Sequence, residues 1–243
     1  MKKTALITGS TRGIGRAIAL RLAQDGYKVI LHGAGNLEKA KDVKAIIEQS
    51  GGEAEIIMAD LCSPESITHL CDAAKSADVL VLNASLQIKK GWQSITLEDS
   101  YKQLNCNYIS SLLLIQAAVD NMKNKHWGRI ITIGSVQEAK PHPDMLIYSS
   151  SKAAQTNMVK SLSLQLAADG ITVNNVAPGV IYTDRNVEAL SDPEYAKKVT
   201  DSIPAGFYGT PEDCAGTVSL LCSEEGRYIT GQSIYIDGGK SVQ

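Results

Sequence analysis

Short apolar runs alternate with longer segments of helical spacing along this chain, and this alternation limits the folds open to it. Seven runs have the length and apolar content of buried strands: Ala5-Leu6-Ile7, Val29-Ile30-Leu31, Ile56-Ile57-Met58, Val79-Leu80-Val81-Leu82, Ile130-Ile131-Thr132-Ile133, Val173 to Ala177, and Ile234-Tyr235-Ile236. Between the first two runs, a stripe with a period of about 3.6 predicts a helix packed on a sheet: Ile14, Ala17, Ile18, Arg21 and Leu22. Repeated strand–helix–strand units predict an α/β fold, a doubly wound parallel sheet with helices on both faces.

Turn and capping residues fall between these segments. Ser63-Pro64 and Thr210-Pro211 place a capping hydroxyl before a first-turn proline, and Gly51-Gly52 and Gly170 stand where helices are expected to end. A chain of 243 residues with 44% hydrophobic content can bury one large core, so we expect a single domain over residues 1–243.

One polar segment departs from the alternation. It runs from about Tyr182 to Pro204, contains Pro193, and falls between the last two predicted strands. Long loops in compact domains are commonly functional, so we predict a mobile lid or substrate loop here. A plain surface insertion is the alternative.

Charge and composition exclude several classes of function. Lys and Arg number 24, Asp and Glu number 26, and the formal charge is −2, so no global field favours nucleic acid or an anionic membrane surface. The apolar run after Met1-Lys2-Lys3 is too short for a signal peptide, and no run reaches the roughly 18 residues of a membrane-spanning helix. We therefore expect a soluble protein that acts on a small molecule, with no nucleic-acid partner, no membrane association and no metal site.

Five cysteines are scattered without any CxxC pair: Cys62, Cys71, Cys106, Cys214 and Cys222. An odd number in a chain of this size argues against a disulfide framework and favours a reducing, cytoplasmic location. We expect each cysteine to act as a buried small hydrophobe rather than as a redox or nucleophilic group.

A glycine-rich turn joins the first predicted strand to the first helix. Its sequence is Thr8-Gly9-Ser10-Thr11-Arg12-Gly13-Ile14-Gly15. Glycine permits a tight turn and a close backbone approach, while backbone amides and the positive end of the helix converge where a pyrophosphate could bind. Three spaced glycines are weak evidence alone, but their position between the first strand and the first helix predicts a dinucleotide site.

The TGxxxGxG spacing resembles the cofactor fingerprint of the short-chain dehydrogenase/reductase family. Further features similar to those of the family occur along nearly the whole chain: Asp60-Leu61, Asn83-Ala84, Asn107, Ser135, Tyr148, Lys152, Pro178-Gly179 and Asp237-Gly238-Gly239. The resemblance implies a single-domain Rossmann-type fold and an NAD(P)H-dependent oxidoreductase that interconverts a carbonyl and a secondary alcohol by hydride transfer.

Tyr148 and Lys152 form the candidate catalytic pair. Of the nine tyrosines only Tyr148 is followed four residues later by lysine, and residues Ser151 to Ala168 have helical spacing, so the two share a helix face. Lowering a tyrosine pKa from about 10 to about 7 requires about 4 kcal/mol of phenolate stabilisation, which an ammonium and a charged nicotinamide can largely supply in a water-poor site. We predict that Tyr148 transfers the proton, and that Lys152 lowers the tyrosine pKa and binds the nicotinamide ribose.

The resemblance adds two further catalytic candidates. Ser135 lies thirteen positions before the tyrosine, as the family's serine does, and is implied to hold the substrate oxygen. An asparagine that helps to carry protons to solvent through water and lysine is expected in the helix after the fourth strand. Asn107 is preferred because Ser110 and Gln116 match family residues three and nine positions further on, and Asn105 is the alternative.

The resemblance also implies a set of cofactor contacts. Asp60 would bond the adenine amino group with Leu61 beside the ring, although a simple loop cap is the alternative for Asp60. Ser85 replaces a family glycine and Leu82 a family asparagine, which affects the fine geometry rather than the fold. The expected contacts are Gly9, Ser10, Thr11, Arg12, Gly13, Ile14, Gly15, Asp60, Leu61, Asn83, Ala84, Ser85, Tyr148, Lys152 and, over the nicotinamide, Pro178, Gly179, Ile181 and Thr183.

We predict NADP(H) rather than NAD(H) as the preferred cofactor. NAD enzymes of this architecture usually carry an acidic side chain at the end of the second strand, and Leu31-His32-Gly33-Ala34-Gly35-Asn36 holds none. In the family pattern Arg12 faces the 2′-phosphate, which suits a guanidinium. Ala34 stands where some NADP-using relatives carry a second arginine, so the discrimination is expected to be modest.

The segment between Ser135 and Tyr148 bears on the substrate. Glu138 and His142 are polar and near the serine, and the SVxExxPxP pattern resembles that of glucose 1-dehydrogenases, so a sugar or polyol is one expectation. The whole chain is also similar to 3-oxoacyl-acyl-carrier-protein reductases, so a 3-oxoacyl thioester or another small ketone is the other. A solvent-facing position is the alternative for His142.

Two expectations concern the protein as a whole. The resemblance implies a homotetramer or homodimer, paired through the helix that carries Tyr148 and the helix that carries Asn107. A non-catalytic NADP(H)-binding sensor or scaffold of the same fold is the alternative function. Such proteins typically lose the tyrosine or the lysine, and both are present here.

Overall fold

A computed structural model describes residues 2–184 and 186–243. Seven strands form one sheet, all neighbouring strands are parallel, and their order is β3-β2-β1-β4-β5-β6-β7. The strands are β1 (Thr4–Ile7), β2 (Lys28–Gly33), β3 (Glu53–Met58), β4 (Val79–Leu82), β5 (Gly128–Ile133), β6 (Ile171–Pro178) and β7 (Ser233–Ile236). Each contains one of the seven apolar runs, so the predicted parallel, doubly wound sheet is confirmed.

Helices connect successive strands and cover the two faces of the sheet. They are α1 (Gly13–Gln24), α2 (Leu37–Gln49), α3 (Pro64–Ala74), α4 (Leu97–Leu104), α5 (Ser110–Lys125), α6 (Leu146–Leu166), α7 (Val187–Leu190), α8 (Pro193–Asp201) and α9 (Pro211–Cys222). A π-helical segment, Asn105–Ile109, joins α4 to α5. The predicted first helix is α1, which buries Ala17, Ile18 and Leu22. No helix of the described residues is long and apolar enough to cross a membrane.

The core consists of two clusters, one on each face of the sheet. Leu6 and Leu80 belong to the cluster that includes residues of α3, α5 and α6. Their neighbours in sequence, Ile7 and Val81, belong to the cluster that includes residues of α1, α2 and α9. Side chains alternate between the faces of a strand, and helices cover both faces, which explains why the strands are continuous apolar runs.

The predicted helix boundaries have the expected chemistry. Ser63 Oγ accepts a hydrogen bond from Ser66 N at the start of α3, and the Asp213 carboxylate accepts one of 2.7 Å from Thr210 N at the start of α9. Gly170 has φ +75°, and a Cβ there would lie 2.2 Å from the carbonyl oxygen of His126. This position therefore excludes any other residue without local rearrangement.

The polar segment at 182–204 contains the helices α7 and α8. Near its two ends, Ile181 pairs with Gly209 in an isolated parallel bridge, and the rings of Tyr182 and Tyr208 stack with centroids 5.6 Å apart. These contacts hold the beginning and the end of the segment together.

All five cysteines are unpaired, as expected. Three are buried, and Cys62 and Cys71 are half-buried. Burial raises the pKa of the Cys106 and Cys214 thiols to about 12, which keeps them protonated at neutral pH.

Candidate active site

A cleft follows the edge of the sheet at which the strands β1 to β6 end. Its volume is about 970 Å³, which is within the range of small-molecule and cofactor sites. Residues that follow each of these six strands line it. In open parallel sheets, ligands bind at this carboxyl edge.

The glycine loop forms one end of the cleft. Gly9 and Gly13 have φ +64° and +52°, a conformation that other residues rarely adopt. A Cβ at Gly15 would lie 2.3 Å from the carbonyl oxygen of Gly9 and 2.4 Å from Nδ2 of Asn83. Because α1 begins at Gly13 in the wall of the cleft, its unpaired amides and positive dipole end suit a pyrophosphate.

Asn83 ties the end of β4 to this loop. Its Nδ2 donates to the carbonyl oxygens of Thr8, at 2.9 Å, and Gly9, at 3.0 Å. Thr8 Oγ1 in turn accepts hydrogen bonds from the backbone amides of Asn83 and Ala84. Asn83 therefore supports the loop as well as lining the cleft.

His32, at the end of β2, supports the glycine loop from the interior. Nδ1 accepts a 3.0 Å hydrogen bond from Gly9 N, and Nε2 lies 3.0 Å from the carbonyl oxygen of Ala59. Both contacts are satisfied only by the neutral ring with its proton on Nε2. Burial lowers the pKa of His32, in agreement with that state. This role of His32 was not predicted, because residues 31–36 were considered only for their lack of acidic groups.

Most of the predicted cofactor residues line the cleft: Gly9, Thr11, Arg12, Gly13, Ile14, Gly15, Asp60, Leu61, Asn83, Ala84, Ser85, Tyr148, Pro178, Gly179, Ile181 and Thr183. Asp60 also accepts a 2.9 Å hydrogen bond from Cys62 N, so it caps its loop as well. Ser10 is fully buried, its Oγ accepts a 2.9 Å hydrogen bond from His32 N, and it does not line the cleft, so its cofactor contact stays a prediction. Ser10 fastens the loop to β2.

Two cations lie at the mouth of the cleft beside the end of β2. Arg12 is exposed and lines the cleft, and so does Lys39 on α2. Lys39 is paired with Asp184, whose carboxylate lies 3.6 Å from Lys39 Nζ. The described residues 31–36 at the end of β2 include no carboxylate, so the electrostatics here favour an anion.

Tyr148 and Lys152 lie one turn apart on α6. Tyr148 is 6% exposed and lines the cleft, whereas Lys152 is 1% exposed and does not. Lys152 Nζ is 5.7 Å from the centroid of the Tyr148 ring. The ammonium donates to the carbonyl oxygen of Ile133, at 2.7 Å, and to Gln155 Oε1, at 3.0 Å. Its predicted contact with a nicotinamide ribose stays a prediction.

Asn107 lies in the π-helical segment and is fully buried. Its Nδ2 donates to Leu86 O and to Ser151 Oγ, and its Oδ1 accepts from Leu86 N. Ser111 Oγ donates to the carbonyl oxygen of Asn107 and accepts from Gln155 Nε2, which places Asn107 on a hydrogen-bonded path to Lys152. Asn105, the alternative, is only half-buried.

Gln155 and Ser111, which form this path, were not predicted. Gln155 lies three residues after Lys152 and is fully buried. Ser111 lies four residues after Asn107 and is also buried. A buried glutamine within one helical turn of a buried lysine is the signal that could have found the path, but burial is not visible in a single sequence.

Ser135 follows β5 and lines the same cleft as Tyr148. Its Oγ accepts a 3.2 Å hydrogen bond from Gln137 N. Gln137 also lines the cleft, and its Oε1 accepts a 2.9 Å hydrogen bond from Ser149 Oγ. The structure therefore brings the predicted serine and tyrosine to one cavity.

The Glu138 side chain does not line the cleft, and its predicted substrate contact stays a prediction. Its carboxylate accepts hydrogen bonds from Thr156 Oγ1 at 2.8 Å, from Asn175 Nδ2 at 3.0 Å and from Ser233 Oγ at 2.5 Å. These three partners lie on α6, β6 and β7, and they hold the side chain against the sheet. By contrast, His142 lines the cleft, with Nδ1 accepting a 3.1 Å hydrogen bond from Asp144 N.

Comparisons with known proteins agree with this geometry. A family model described as enoyl-(acyl carrier protein) reductase matches residues 9–241. The chain is 38% identical to 3-oxoacyl-acyl-carrier-protein reductase FabG of Aquifex aeolicus, over 98% of this chain and 96% of the relative. It is 35% identical to glucose 1-dehydrogenase 2 of Bacillus subtilis, over 99% of this chain and 95% of the relative. The crystal structure of a 3-oxoacyl-acyl-carrier-protein reductase of Agrobacterium tumefaciens with NADP bound superposes with a TM-score of 0.93, at 36% identity, covering 97% of this chain and 93% of that one.

Proposed function

Because the chain belongs to the short-chain dehydrogenase/reductase family, whose members oxidise CH–OH or reduce C=O groups, we propose that it is an NADP(H)-dependent oxidoreductase with Tyr148 as its acid/base. The observation that carries the proposal is the single cleft lined both by the glycine loop and by Ser135 and Tyr148, with Lys152 behind the tyrosine.

The cradle at the glycine loop supports a bound dinucleotide. At Gly9, Gly13 and Gly15 a side chain would either strain the backbone or fill the space next to the start of α1. Backbone amides at that point would hold the pyrophosphate. Asp60 and Leu61 would lie at the adenine, and Pro178, Gly179, Ile181 and Thr183 at the nicotinamide. When bound, NADP(H) supplies or accepts the hydride.

Three side chains perform the proton chemistry. The Tyr148 hydroxyl donates a proton to the substrate oxygen in reduction and accepts one in oxidation. The Lys152 ammonium stabilises the phenolate through its charge in a buried setting. Ser135 Oγ donates to the substrate oxygen and stabilises the charge that develops there. Gln155 holds the lysine and Ser111 holds Gln155, while Asn107 helps to carry protons to solvent through water and the lysine.

Arg12 supports a preference for NADP(H). It is exposed in the wall of the cleft beside a strand end without a carboxylate. Lys39 lies at the same mouth but is paired with Asp184, so the preference rests on Arg12. A dianionic 2′-phosphate gains from the guanidinium, whereas a ribose hydroxyl gains little.

The remaining expectations extend the proposal. The chain acts as one domain, and the segment at 182–204 contributes Leu190, Tyr195 and Val199 to the cleft and so serves as the substrate loop.

Pairing of two copies through α6 and the helix after Asn107 is supported by exposed apolar side chains on both: Leu146 and Leu164 on α6, and Ile109 and Leu113 after Asn107. Unpaired cysteines are compatible with a cytoplasmic protein.

The substrate experiment uses the purified chain with NADPH or NADP⁺. Acetoacetyl thioesters and D-glucose represent the activities named for the two relatives, and small ketones and polyols complete the panel. We expect turnover of at least one compound, with the higher kcat/KM for NADP(H) than for NAD(H). Failure of the chain to bind NADPH or NADH in a titration would reject the proposed function.

A further inference from the structure

We propose that Glu138 is a positioning residue, whose carboxylate holds the turn of Ser135 in one geometry against the helix that carries Lys152. The inference rests on the proposed function, because it concerns the reaction of Ser135, Tyr148 and Lys152. Glu138 acts through these groups and not on the substrate itself.

Glu138 belongs to the same short turn as Ser135. It ends the 3-10 turn Val136–Glu138, which follows the serine directly. The backbone N of Glu138 donates a 2.9 Å hydrogen bond to the carbonyl oxygen of Ser135. A Cβ at Gly134, the residue before the serine, would lie 2.6 Å from a Glu138 carboxylate oxygen and 2.6 Å from both polar side-chain atoms of Asn175. The carboxylate is therefore packed against the backbone that carries Ser135.

The carboxylate accepts hydrogen bonds from three elements outside this turn. Thr156 Oγ1 donates at 2.8 Å from α6, Asn175 Nδ2 donates at 3.0 Å from β6, and Ser233 Oγ donates from β7. These donors are neutral, and hydrogen bonds to an ionised acceptor are stronger than hydrogen bonds between neutral groups. The turn of Ser135 is therefore fastened to one helix and to two strands of the sheet.

Thr156 connects this contact to the candidate catalytic lysine. It lies one helical turn after Lys152 on α6, and its Oγ1 is 3.2 Å from the carbonyl oxygen of Lys152. The ammonium of Lys152 donates to the carbonyl oxygen of Ile133, the last residue of β5. The helix α6 and the chain around Ser135 are thus joined twice, through Lys152 and through Glu138. Loss of the second contact would free the serine to shift relative to α6.

The orientation of the Asn175 amide explains why position 138 requires a carboxylate. Thr132 Oγ1 donates to Asn175 Oδ1 at 2.7 Å, so Asn175 Nδ2 faces Glu138 as a donor. A carboxylate has acceptor sites for all three of its donors, whereas a glutamine would bring N–H groups toward groups that already donate. Asn175 is fully buried, so water does not relieve such a mismatch.

Steady-state kinetics of Glu138→Gln and Thr156→Val tests the inference. The assay uses NADPH or NADP⁺ with whichever of acetoacetyl thioester, D-glucose, small ketones and polyols gives the wild-type protein its highest kcat/KM. We expect kcat and kcat/KM to fall together, by about 10- to 100-fold in Glu138→Gln and about 3- to 10-fold in Thr156→Val, because a misplaced group slows the chemical step. KM and the affinity for NADPH should change by less than about threefold.

Ser161→Ala and Glu212→Gln are the matched controls. Ser161 is exposed on α6, Glu212 is exposed on α9, and neither lines the cleft. Both variants should keep the wild-type kcat and KM. Should Glu138→Gln not fold, Thr156→Val decides the question, because valine keeps the shape of threonine and removes only the hydroxyl.

A reciprocal exchange separates positioning from a general loss of stability. Asn175→Asp places two carboxylates side by side and should lower kcat more than Glu138→Gln does. Combining the two substitutions restores one carboxylate and one amide in reversed order, and Thr132 can still donate to position 175. We expect the double variant to have a kcat at least about tenfold above that of Asn175→Asp, a coupling that independent sites do not show. If Asn175→Asp does not fold, a folded and active double variant is the equivalent result.

The inference is overturned if Glu138→Gln and Thr156→Val fold and keep the wild-type kcat, or if the double variant is no more active than Asn175→Asp. It is also overturned if the KM for the substrate rises while kcat stays unchanged, because this split indicates the predicted substrate contact of Glu138 instead. Failure of the proposed function is distinguishable, since it would appear in the wild-type protein as absence of NADPH binding or of turnover.

Discussion

His32 shows how one buried side chain fixes both a backbone loop and a protonation state. Its neutral ring joins the glycine loop to the end of β3 through Gly9 and Ala59. A proton on Nδ1 would face the amide of Gly9 and remove this hydrogen bond. The support of the loop that is proposed to hold the pyrophosphate therefore depends on pH, through the protonation of His32.

We predict that part of the stability of the protein is lost below about pH 6.5 through His32. Burial lowers the folded-state pKa, so the unfolded chain binds the proton first as the pH falls. The contribution is fully present above the unfolded pKa of about 6.5 and declines below it by up to about 1.4 kcal/mol per pH unit. We expect the free energy of unfolding, measured with denaturant between pH 8 and pH 5, to decline less in His32→Asn than in the wild-type protein.

His69→Asn is the control for this series, since His69 is exposed on α3. It should retain the wild-type dependence on pH. An unchanged pH dependence in His32→Asn would contradict the role given to the buried ring.

Arg12 carries the second prediction at this scale. Arg12→Ala should weaken NADPH binding by about 10- to 100-fold, because it removes a charge-assisted contact with the 2′-phosphate. NADH binding should change by less than about threefold. Titration of both cofactors measures this, with Arg21→Ala as control because Arg21 pairs with Asp25 on the outer side of α1. A wild-type protein that prefers NADH would refute the cofactor preference.

At the scale of elements, a matched pair of helical glycines tests the junction between α1 and the glycine loop. Gly15→Ala should destabilise the fold by about 1–3 kcal/mol and abolish cofactor binding, since the added methyl would collide with Gly9 O and Asn83 Nδ2. Gly216→Ala on α9 has no atom within 4 Å of the added methyl. It should stabilise the protein by about 0.5–1 kcal/mol.

Chemical denaturation and a cofactor titration of both variants provide the measurement. Equal stabilities and intact cofactor binding in the two variants would show that the close approach at Gly15 is not required.

The elements also show where sequence patterns reach their limit. The helix that carries Tyr148 begins at Leu146 and ends at Leu166, whereas helical spacing predicted a start at Ser151 and an end at Ala168. Serines in a row favour caps and turns. Here Ser149 donates to Gln137 and Ser151 accepts from Asn107, so contacts with distant segments accompany the five additional residues at the start of the helix.

Contacts between distant segments also explain the position of Glu138. It was predicted as a substrate ligand because it is near Ser135 in sequence, but its carboxylate binds Asn175 and Ser233, which a single sequence does not place beside it. The seven strands and the glycine loop were predictable because they depend on local periodicity and spacing.

At the scale of the whole molecule, the exposed apolar residues of α5 and α6 predict self-association. Leu113→Glu should reduce the assembled mass to that of a monomer, because a carboxylate buried at an interface lacks compensation. Light scattering after size exclusion measures the mass. Ile46→Glu on α2, similarly exposed at 37%, is the control and should leave the assembly unchanged. A wild-type protein that is monomeric at micromolar concentration would contradict the expectation.

The most direct test of the whole account is the turnover of Tyr148→Phe compared with the wild-type chain and with Tyr228→Phe, whose ring is 97% exposed. The account predicts that Tyr148→Phe folds and still binds NADPH while kcat/KM falls by about 10²- to 10⁴-fold, because the proton donor is missing. Tyr228→Phe should remain fully active. A Tyr148→Phe enzyme that retains most of its activity would contradict the mechanism.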